Sequence, residues 1–443
     1  MNNDNRTFYK WTWFRAWFPV LFFVAFWVNS YLNRNIGLLI RDPISLNTHI
    51  YLWVSMILFI VGYAIGLGKP KRILVQRNEQ VWKINSMAFK WFKLLIWVTF
   101  IGCLGTIVDR ILSGAGSIGA TVNETEFVRT EMMENTTILT TLSMGLFMFA
   151  FMAFSIYFMA VATNYPMPNY YHWMIYGTYG MLCLTSVLIA SRGFFLSVIT
   201  YIAYMLFCVQ GETLLGFIVK KKYFFIRLVS VSFIIFSLLY FIFISRYRGG
   251  EEGIKADTLF YYQPNDRYGL YKLDFDALNI TAFLQTYSYM IEGYEYIDYF
   301  LEMSSPFAFR PAALLGGRMI RQIQRVVPEE YRRPPAAVEV GNSWRSAAGM
   351  HLFGWPTVWG WNLPMFGYIG APLFMLFYGM WMGYCSGIFL RFANIGALMV
   401  CFANYSILMN SFNSLGGDVY HQIAIWVGIV WMYKINKQTR LLV

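Results

Sequence analysis

Long apolar runs alternate with short polar segments along most of the chain, and one polar segment late in the chain is much longer than the others. A run of about 20 apolar residues forms a helix that can cross the hydrocarbon core of a bilayer. The pattern predicts such helices at 16–33, 48–67, 90–108, 139–162, 171–189, 194–210, 224–245, 363–385, 393–411 and 419–434. We therefore expect an all-α polytopic membrane protein with about ten transmembrane helices and a large outer-face loop that contains short amphipathic helices.

The composition agrees with a bilayer environment. The chain of 443 residues is 58% hydrophobic and only 13% charged, whereas a soluble domain is about 25% charged. No small-residue cleavage site follows the first apolar run, so we expect a retained helix and not a signal peptide. Much of the net charge of +12 lies in short loops, where it sets topology and does not indicate nucleic acid binding.

The charges of the short loops predict the orientation. The segment between the second and third predicted spans is basic and carries Lys69, Lys71, Arg72, Arg77, Lys83 and Lys90 against Glu79. The next loop, 109–138, is acidic, and basic residues return before the seventh span and in the C-terminal tail. Because short basic loops stay in the cytoplasm, we predict a multi-pass protein with both termini cytoplasmic.

This orientation divides the chain into transmembrane helices 1–7 (1–245), a large outer loop (246–362) and transmembrane helices 8–10 (363–443). The outer loop is rich in arginine, which long translocated loops tolerate. The planar guanidinium group matches phosphate with two parallel hydrogen bonds. The loop therefore predicts an anionic ligand on the outer face.

Three arginines lie near the predicted outer membrane boundary. Arg192 is in the short turn between the fifth and sixth spans, and Arg246 and Arg248 flank an aromatic residue where the seventh span ends. An arginine at this depth is costly without a partner. The arginines are either fixed cations that face a lipid-linked phosphate, or side chains that snorkel to head groups and anchor the helix ends.

Three further features, in the loop and at the start of the eighth span, could bind a substrate or simply pack. The stretch 312–327 has an apolar face and a face with Arg318, Arg321 and Arg325, which is typical of an interfacial amphipathic helix. The stretch 287–299 combines tyrosines with acids, and aromatic faces can pack on sugars while carboxylates accept hydrogen bonds from hydroxyl groups. The third feature is 341–345 together with 366–370, whose glycines also fit close helix packing.

Several kinds of chemistry lack their motifs. The chain has no Walker A motif and no G-x-S-x-G elbow. The five cysteines lie in apolar runs and the four histidines are far apart, so neither set has metal-ligand spacing. We therefore expect no metal site and no cofactor.

These motifs together resemble the Wzy-type polymerases of bacterial O-antigen and oligosaccharide repeat units. The resemblance covers most of the chain and rests on the predicted spans, the late outer loop, and the motifs Ser191-Arg192-Gly193, Arg246-Tyr247-Arg248-Gly249, Asn342-Ser343-Trp344 and Phe366-Gly367-Tyr368-Ile369-Gly370. An acid often precedes the last glycine motif in that family, but Trp359-Gly360-Trp361-Asn362 stands there in this chain. The resemblance implies a GT-C-like fold in the bacterial cytoplasmic membrane.

The resemblance also implies a metal-independent glycosyltransferase, whose donor is an oligosaccharide on undecaprenyl pyrophosphate and whose acceptor is a hydroxyl of a second lipid-linked unit. Fixed cations would stabilise the charge that grows on the pyrophosphate leaving group. The expected catalytic residues are Arg192, Arg246 and Arg248. The expected substrate-binding residues are Arg318, Arg321, Arg345, Asn342 and Tyr294, and the candidates for the general base are Glu292, Asp298, Glu339 and His351.

Other functions stay open at this level. An O-antigen ligase uses the same donor but a different acceptor. A flippase or other transporter is a different class, for which internal repeats and short loops are typical, and a structural membrane protein without chemistry is a third. Membrane lipids are expected partners in every case, and the resemblance leaves room for a chain-length regulator.

Overall fold

The computed structural model describes residues 4–37, 39–40, 43–68, 78–112, 142–143, 146, 149–162, 167–188, 263–264, 293–309, 344, 358–409 and 419–442. Within these residues the chain is mostly helical. The helices are α1 (Asp4–Ile36), α2 (Leu46–Leu67), α3 (Asn78–Leu112), α4 (Ala150–Ala162), α5 (Asn169–Leu188), α6 (Tyr294–Met303), α7 (Val358–Phe392), α8 (Ile395–Met409) and α9 (Val419–Leu442). Two short strands, β1 (Leu39–Ile40) and β2 (Gln263–Pro264), form an antiparallel pair.

The predicted spans agree with these helices wherever the structure describes them. Each predicted span overlaps a helix, except 194–210 and 224–245, which lie outside the described residues. In the described part of the chain, three helical stretches are long and apolar enough to cross a membrane, namely Leu46–Leu67, Asn85–Asp109 and Val358–Phe392. The chain is therefore an all-α protein with membrane-spanning character, and the full count of ten spans stays a prediction.

The outward faces of these stretches are apolar. Ile57 and Ile65 on α2 are 54% and 57% exposed, and Trp97 and Ile101 on α3 are 48% and 55% exposed. Large apolar side chains that line one helix face in contact with solvent are expensive in water. The same faces are favourable against lipid, which explains why the sequence keeps them apolar throughout.

Helices α2 and α7 form the tightest contact of the bundle. Gly62 and Gly66 on α2 face α7, and Gly379, Gly383 and Gly387 on α7 face α2. A Cβ atom added at the first four of these glycines would collide with the backbone of the opposite helix. Glycines spaced four residues apart let two backbones approach closely in a membrane, where packing replaces the hydrophobic effect as the main attraction between helices.

The two helices run parallel. Gly379 lies against Phe59, whereas Gly387, two turns further along α7, lies against Leu67. The contacts move toward the C-terminal end of α2 as they move toward the C-terminal end of α7, so the two helices are parallel. Helix α1 runs antiparallel to them, because Ala16 near its start accepts a hydrogen bond from Tyr63 near the end of α2.

Helix α7 is broken at Gly367, whose φ is 78° and ψ is 173°. The rings of Phe366 and Phe374 stack with centroids 4.3 Å apart, although residues eight positions apart in a continuous helix are separated by about 12 Å along the axis. Asn362 Nδ2 also lies 3.4 Å from Met375 Sδ. The segment 358–366 is therefore folded back on the long second half of α7.

This arrangement differs from the predicted loop boundary. The prediction ends the outer loop at residue 362, whereas α7 begins at Val358. Val358, Trp359 and Asn362 are buried, with exposures of 1% or less. The segment before residue 363 is thus part of the packed interior, because its aromatic and apolar side chains fill the space between α1, α2 and the second half of α7.

At the other end of α7, two asparagines join three parts of the bundle. Asn85 on α3 donates to the Ala393 carbonyl and accepts from the Ile395 amide. Asn394 donates to the Met432 carbonyl on α9. Both asparagines are fully buried, and their hydrogen bonds satisfy backbone groups of the tight turn between α7 and α8.

Candidate functional site

The candidate site lies at the end of the bundle where α2 and the second half of α7 begin. Helix α6, from the predicted outer loop, covers this end and contacts both helices. Its sequence alternates buried and exposed positions at helical spacing: Tyr294, Ile297 and Phe300 are buried, whereas Tyr299 is 49% exposed. The described segment of the loop, 293–309, therefore packs onto the bundle.

Asp298 fixes α6 to the start of α2. Its carboxylate accepts hydrogen bonds from the Ser45 amide at 3.0 Å, from the Ser45 hydroxyl at 2.5 Å and from the Thr48 hydroxyl. Ser45 is also the N-cap of α2, since its hydroxyl accepts from the Thr48 amide at 3.2 Å. An anion at a helix N-terminus is stabilised by the unpaired amides and the helix dipole.

Tyr294, one turn before Asp298 on α6, attaches the start of α6 to α1. Its hydroxyl lies 3.3 Å from Ser30 Oγ and 3.4 Å from the Trp27 carbonyl. The ring meets Trp27 edge to face with centroids 6.1 Å apart, and only 1% of the residue is exposed. Burial raises the pKa of Tyr294 well above its ordinary value, so this phenol stays a neutral donor. A substrate could touch its ring only if α6 moved away from α1.

Two of the predicted loop motifs meet at α6. Phe300 belongs to the tyrosine-rich helix and Trp344 to the 341–345 motif, and their rings pack edge to face with centroids 5.5 Å apart. The contact brings together residues that are 44 positions apart in the chain (344 minus 300). It places the ring of Trp344, which lies between the predicted ligands Asn342 and Arg345 in the sequence, against the buried face of α6.

The glycine motif 366–370 is held by the segment that follows α6. The Ser305 carbonyl accepts from the Tyr368 amide at 3.1 Å, and the Pro306 carbonyl accepts from the Ile369 amide at 2.9 Å. These amides open the second half of α7 and have no partner within their own helix. A Cβ atom at Gly367 would collide with the Ser305 carbonyl, so the glycine is needed both for its positive φ and for this close approach.

The surface of the same segment is aromatic. Phe307 and Phe309 are 63% and 81% exposed, and the adjoining Tyr368 and Ile369 are 40% and 42% exposed. Exposed aromatic and aliphatic side chains of this kind are favoured at the boundary between hydrocarbon and head groups. This end of the bundle therefore has the surface expected at a membrane interface.

Beneath α6, several buried polar atoms lack a hydrogen-bond partner among the described residues. They are Trp27 Nε1, Ser55 Oγ and Asn362 Oδ1. The three residues lie on α1, α2 and the folded-back part of α7. Buried polar atoms without a partner are costly, and ordered water commonly satisfies such groups in proteins.

The predicted site residues divide sharply between described and undescribed parts of the chain. Tyr294 and Asp298 lie at the α6 end of the bundle, where they bind α1 and α2 respectively. The others lie outside the described residues: Arg192, Arg246, Arg248, Arg318, Arg321, Arg345, Asn342, Glu292, Glu339 and His351. Their proposed roles stay predictions.

Sequence reasoning missed Ser45 and Thr48. The signal for a helix start was present, because a serine precedes an apolar run and its hydroxyl can cap the helix. The partner was not predictable, because Asp298 is 253 positions away. A contact of this range depends on how the loop folds back, which no local pattern encodes.

In the described part of the chain, no group of three or more His, Cys, Asp or Glu side chains is arranged to hold a metal ion. The geometry of this end can present aromatic faces and hydroxyl groups to a ligand at the membrane boundary. Comparison with protein-family models, with curated proteins and with solved structures gives no match.

Proposed function

We propose that the protein polymerises lipid-linked oligosaccharide repeat units at the outer face of the bacterial cytoplasmic membrane. The observation that best supports this function is the convergence, at one end of the bundle, of two loop motifs and the glycine motif that follows the predicted loop. The tyrosine-rich helix, Trp344 and the glycine motif are joined there by the Phe300–Trp344 and Ser305–Tyr368 contacts. A lipid-linked sugar needs such a site, with aromatic surface at the level of the head groups.

The proposed reaction is a glycosyl transfer. The acceptor hydroxyl attacks the anomeric carbon of the donor, the bond from that carbon to the pyrophosphate oxygen breaks, and undecaprenyl pyrophosphate leaves with the electron pair. A base takes the hydroxyl proton. Arg192, Arg246 and Arg248 are the proposed cations that stabilise the leaving group, and Glu292, Glu339 and His351 are candidates for the base.

Asp298 is a weaker candidate for that base. Its two oxygen atoms already accept hydrogen bonds from Ser45 and Thr48. A general base needs an oxygen atom that is free to take the proton of the acceptor hydroxyl. Its best-supported role is therefore to position α6 against α2.

The arrangement of charges supports the outer location of the α6 end. Arg391 donates to the Leu67 carbonyl at the opposite end of the bundle. Lys434 lies near the same end, two residues beyond Met432, whose carbonyl binds Asn394. Basic residues concentrate on the cytoplasmic side of membrane proteins, and this distribution favours an outer location for α6.

The test uses purified protein in liposomes that contain a lipid-linked repeat unit as both donor and acceptor. We expect a ladder of longer glycans on the lipid with the unmodified protein. Arg192→Ala or Arg248→Ala should abolish it, with a loss of at least about 100-fold in rate if each cation stabilises the leaving group. Arg440→Ala, in the predicted cytoplasmic tail, is the matched control and should retain the ladder.

Two outcomes would overturn this proposal. A normal ladder from both the Arg192 and the Arg248 variants would remove the cationic site. Product formation only when a lipid A core is supplied would identify a ligase in place of a polymerase.

The broken helix α7 gives some support to a second function, transport of the lipid-linked glycan. Discontinuous helices with unpaired amide groups often surround substrates in transporters. In this chain, however, the amides after Gly367 are already bound by the Ser305 and Pro306 carbonyls. Transbilayer movement of a fluorescent lipid-linked glycan, in liposomes where no ladder forms, would favour the transporter.

A further inference from the structure

We propose that a groove at the basic end of the bundle binds an anionic phospholipid of the surrounding leaflet. The groove has a volume of about 480 Å³ and lies between α3, α4 and α9. It is distant in sequence and in location from the α6 end. This binding site does not depend on the proposed glycosyl transfer.

Most of the groove is apolar. Phe149 and Met152, contributed by α4 and the turn before it, line the groove together with Leu94 and Val98 on α3 and Val427 on α9. Leu94 is itself 49% exposed, so the groove opens toward the surrounding medium. In a bilayer that medium is lipid, and a groove of this kind fits an acyl chain that lies along the helices.

One end of the groove is positively charged. Lys434 on α9 lines it beside Met87 on α3. The facing stretches 85–98, 149–162 and 419–434 contain no acidic residue, so the walls do not neutralise this amine. An ammonium group at the end of an apolar groove complements a ligand with a phosphate at one end and hydrocarbon at the other.

The depth of the charge fits a head group. Met87 lies half a turn from Asn85, which binds the turn between α7 and α8. Trp91 and Trp431 also line the groove, about one helical turn from Met87 and Lys434 respectively. Tryptophan and lysine are favoured at the membrane interface. Basic pockets between helices on the cytoplasmic side commonly bind anionic lipid head groups.

The donor lipid of the proposed reaction is a less suitable occupant. Its pyrophosphate would be needed at the α6 end, whereas Lys434 lies at the opposite end of the bundle. A glycerophospholipid of the nearer leaflet has its phosphate at the required depth. The groove therefore fits a phospholipid with a net negative head group.

The experiment is native mass spectrometry of the full chain in mild detergent, titrated with phosphatidylglycerol or with phosphatidylcholine. We expect phosphatidylglycerol to bind about fivefold more tightly, since one lysine near an anionic head group contributes about that factor. Lys434→Gln should remove the preference. Lys93→Gln is the matched control, because Lys93 is exposed on α3 but points roughly 140° away from the groove.

Equal binding of both lipids by the unmodified protein would overturn the proposal. A preference that survives Lys434→Gln, or that Lys93→Gln removes equally, would do the same. Leu94→Trp provides a second variant that keeps the charge and fills the groove. It should reduce retention of phosphatidylglycerol, and unchanged retention would count against the groove as the site.

Discussion

At the scale of single residues, Asp298 carries the contact between the outer loop and α2. Its carboxylate receives hydrogen bonds from Ser45 and Thr48 at a helix N-terminus. We expect Asp298→Ala to lower the free energy of unfolding by about 2 kcal/mol, because charge-assisted hydrogen bonds and the helix-dipole interaction are lost together. Thermal unfolding in detergent, followed by circular dichroism, measures the change.

The control for this variant is Glu302→Ala on the same helix. Glu302 lies one turn after Asp298 and is exposed, so its removal should change stability by less than about 0.5 kcal/mol. Equal stability of the Asp298 and Glu302 variants would refute the anchoring role. An Asp298→Asn protein with unchanged stability but no transfer activity would instead assign Asp298 to the chemistry.

The residue scale is also where prediction from sequence was least complete. Asp298 and Tyr294 were selected because acids and tyrosines suit a sugar site, but the structure shows both engaged by the protein's own α2 and α1. Amino-acid type limits what a side chain can do and does not reveal its neighbours. The arginine motifs lie outside the described residues, so their juxtaposition is still an inference from the sequence.

At the scale of secondary structure, apolar runs predicted helix positions well because length and hydropathy determine a span. The glycine spacing of α2 and α7 also predicts close packing in principle, although it does not identify the partner. The break in α7 was not predicted. The run around Gly367 is continuously apolar, and hydropathy does not distinguish a straight helix from one that folds back.

The break itself is testable through Gly367→Ala. The substitution introduces a Cβ atom at a φ of 78° and against the Ser305 carbonyl, so we expect a loss of about 2 kcal/mol or more in the free energy of unfolding. Gly180→Ala on α5 is the matched control, because a Cβ there meets nothing within 4 Å. It should be neutral or slightly stabilising, since alanine favours the helix.

The two variants are compared by thermal unfolding under the same detergent conditions. Hydrogen exchange at the Tyr368 and Ile369 amides would add a local readout, because these amides bind the Ser305 and Pro306 carbonyls. Faster exchange in the Gly367 variant is expected. Protection and stability equal to those of the Gly180 variant would contradict a strained turn held by the loop.

At the scale of the whole molecule, the parallel packing of α2 and α7 constrains the topology. If both cross the membrane in the same direction, the chain between them must cross an odd number of times. The five spans predicted in that interval (90–108, 139–162, 171–189, 194–210 and 224–245) satisfy this condition. The parallel packing is thus compatible with the predicted number of spans between α2 and α7, and the orientation itself stays a prediction from the loop charges.

Cysteine accessibility tests this orientation directly. Phe309→Cys places a thiol at a site that is 81% exposed beside the glycine motif, and Lys437→Cys places one near the end of α9. The native thiols at Cys103, Cys385 and Cys401 are buried, and the unmodified protein serves as the background control.

In intact cells with a permeable outer envelope, we expect a membrane-impermeant maleimide to label the Phe309 variant. The same reagent should label the Lys437 variant only after the cytoplasmic membrane is opened. The reverse pattern would place the arginine-rich loop in the cytoplasm. Since the proposed transfer requires donor, acceptor and arginines on the outer face, that single result would reject the polymerase and the ligase together.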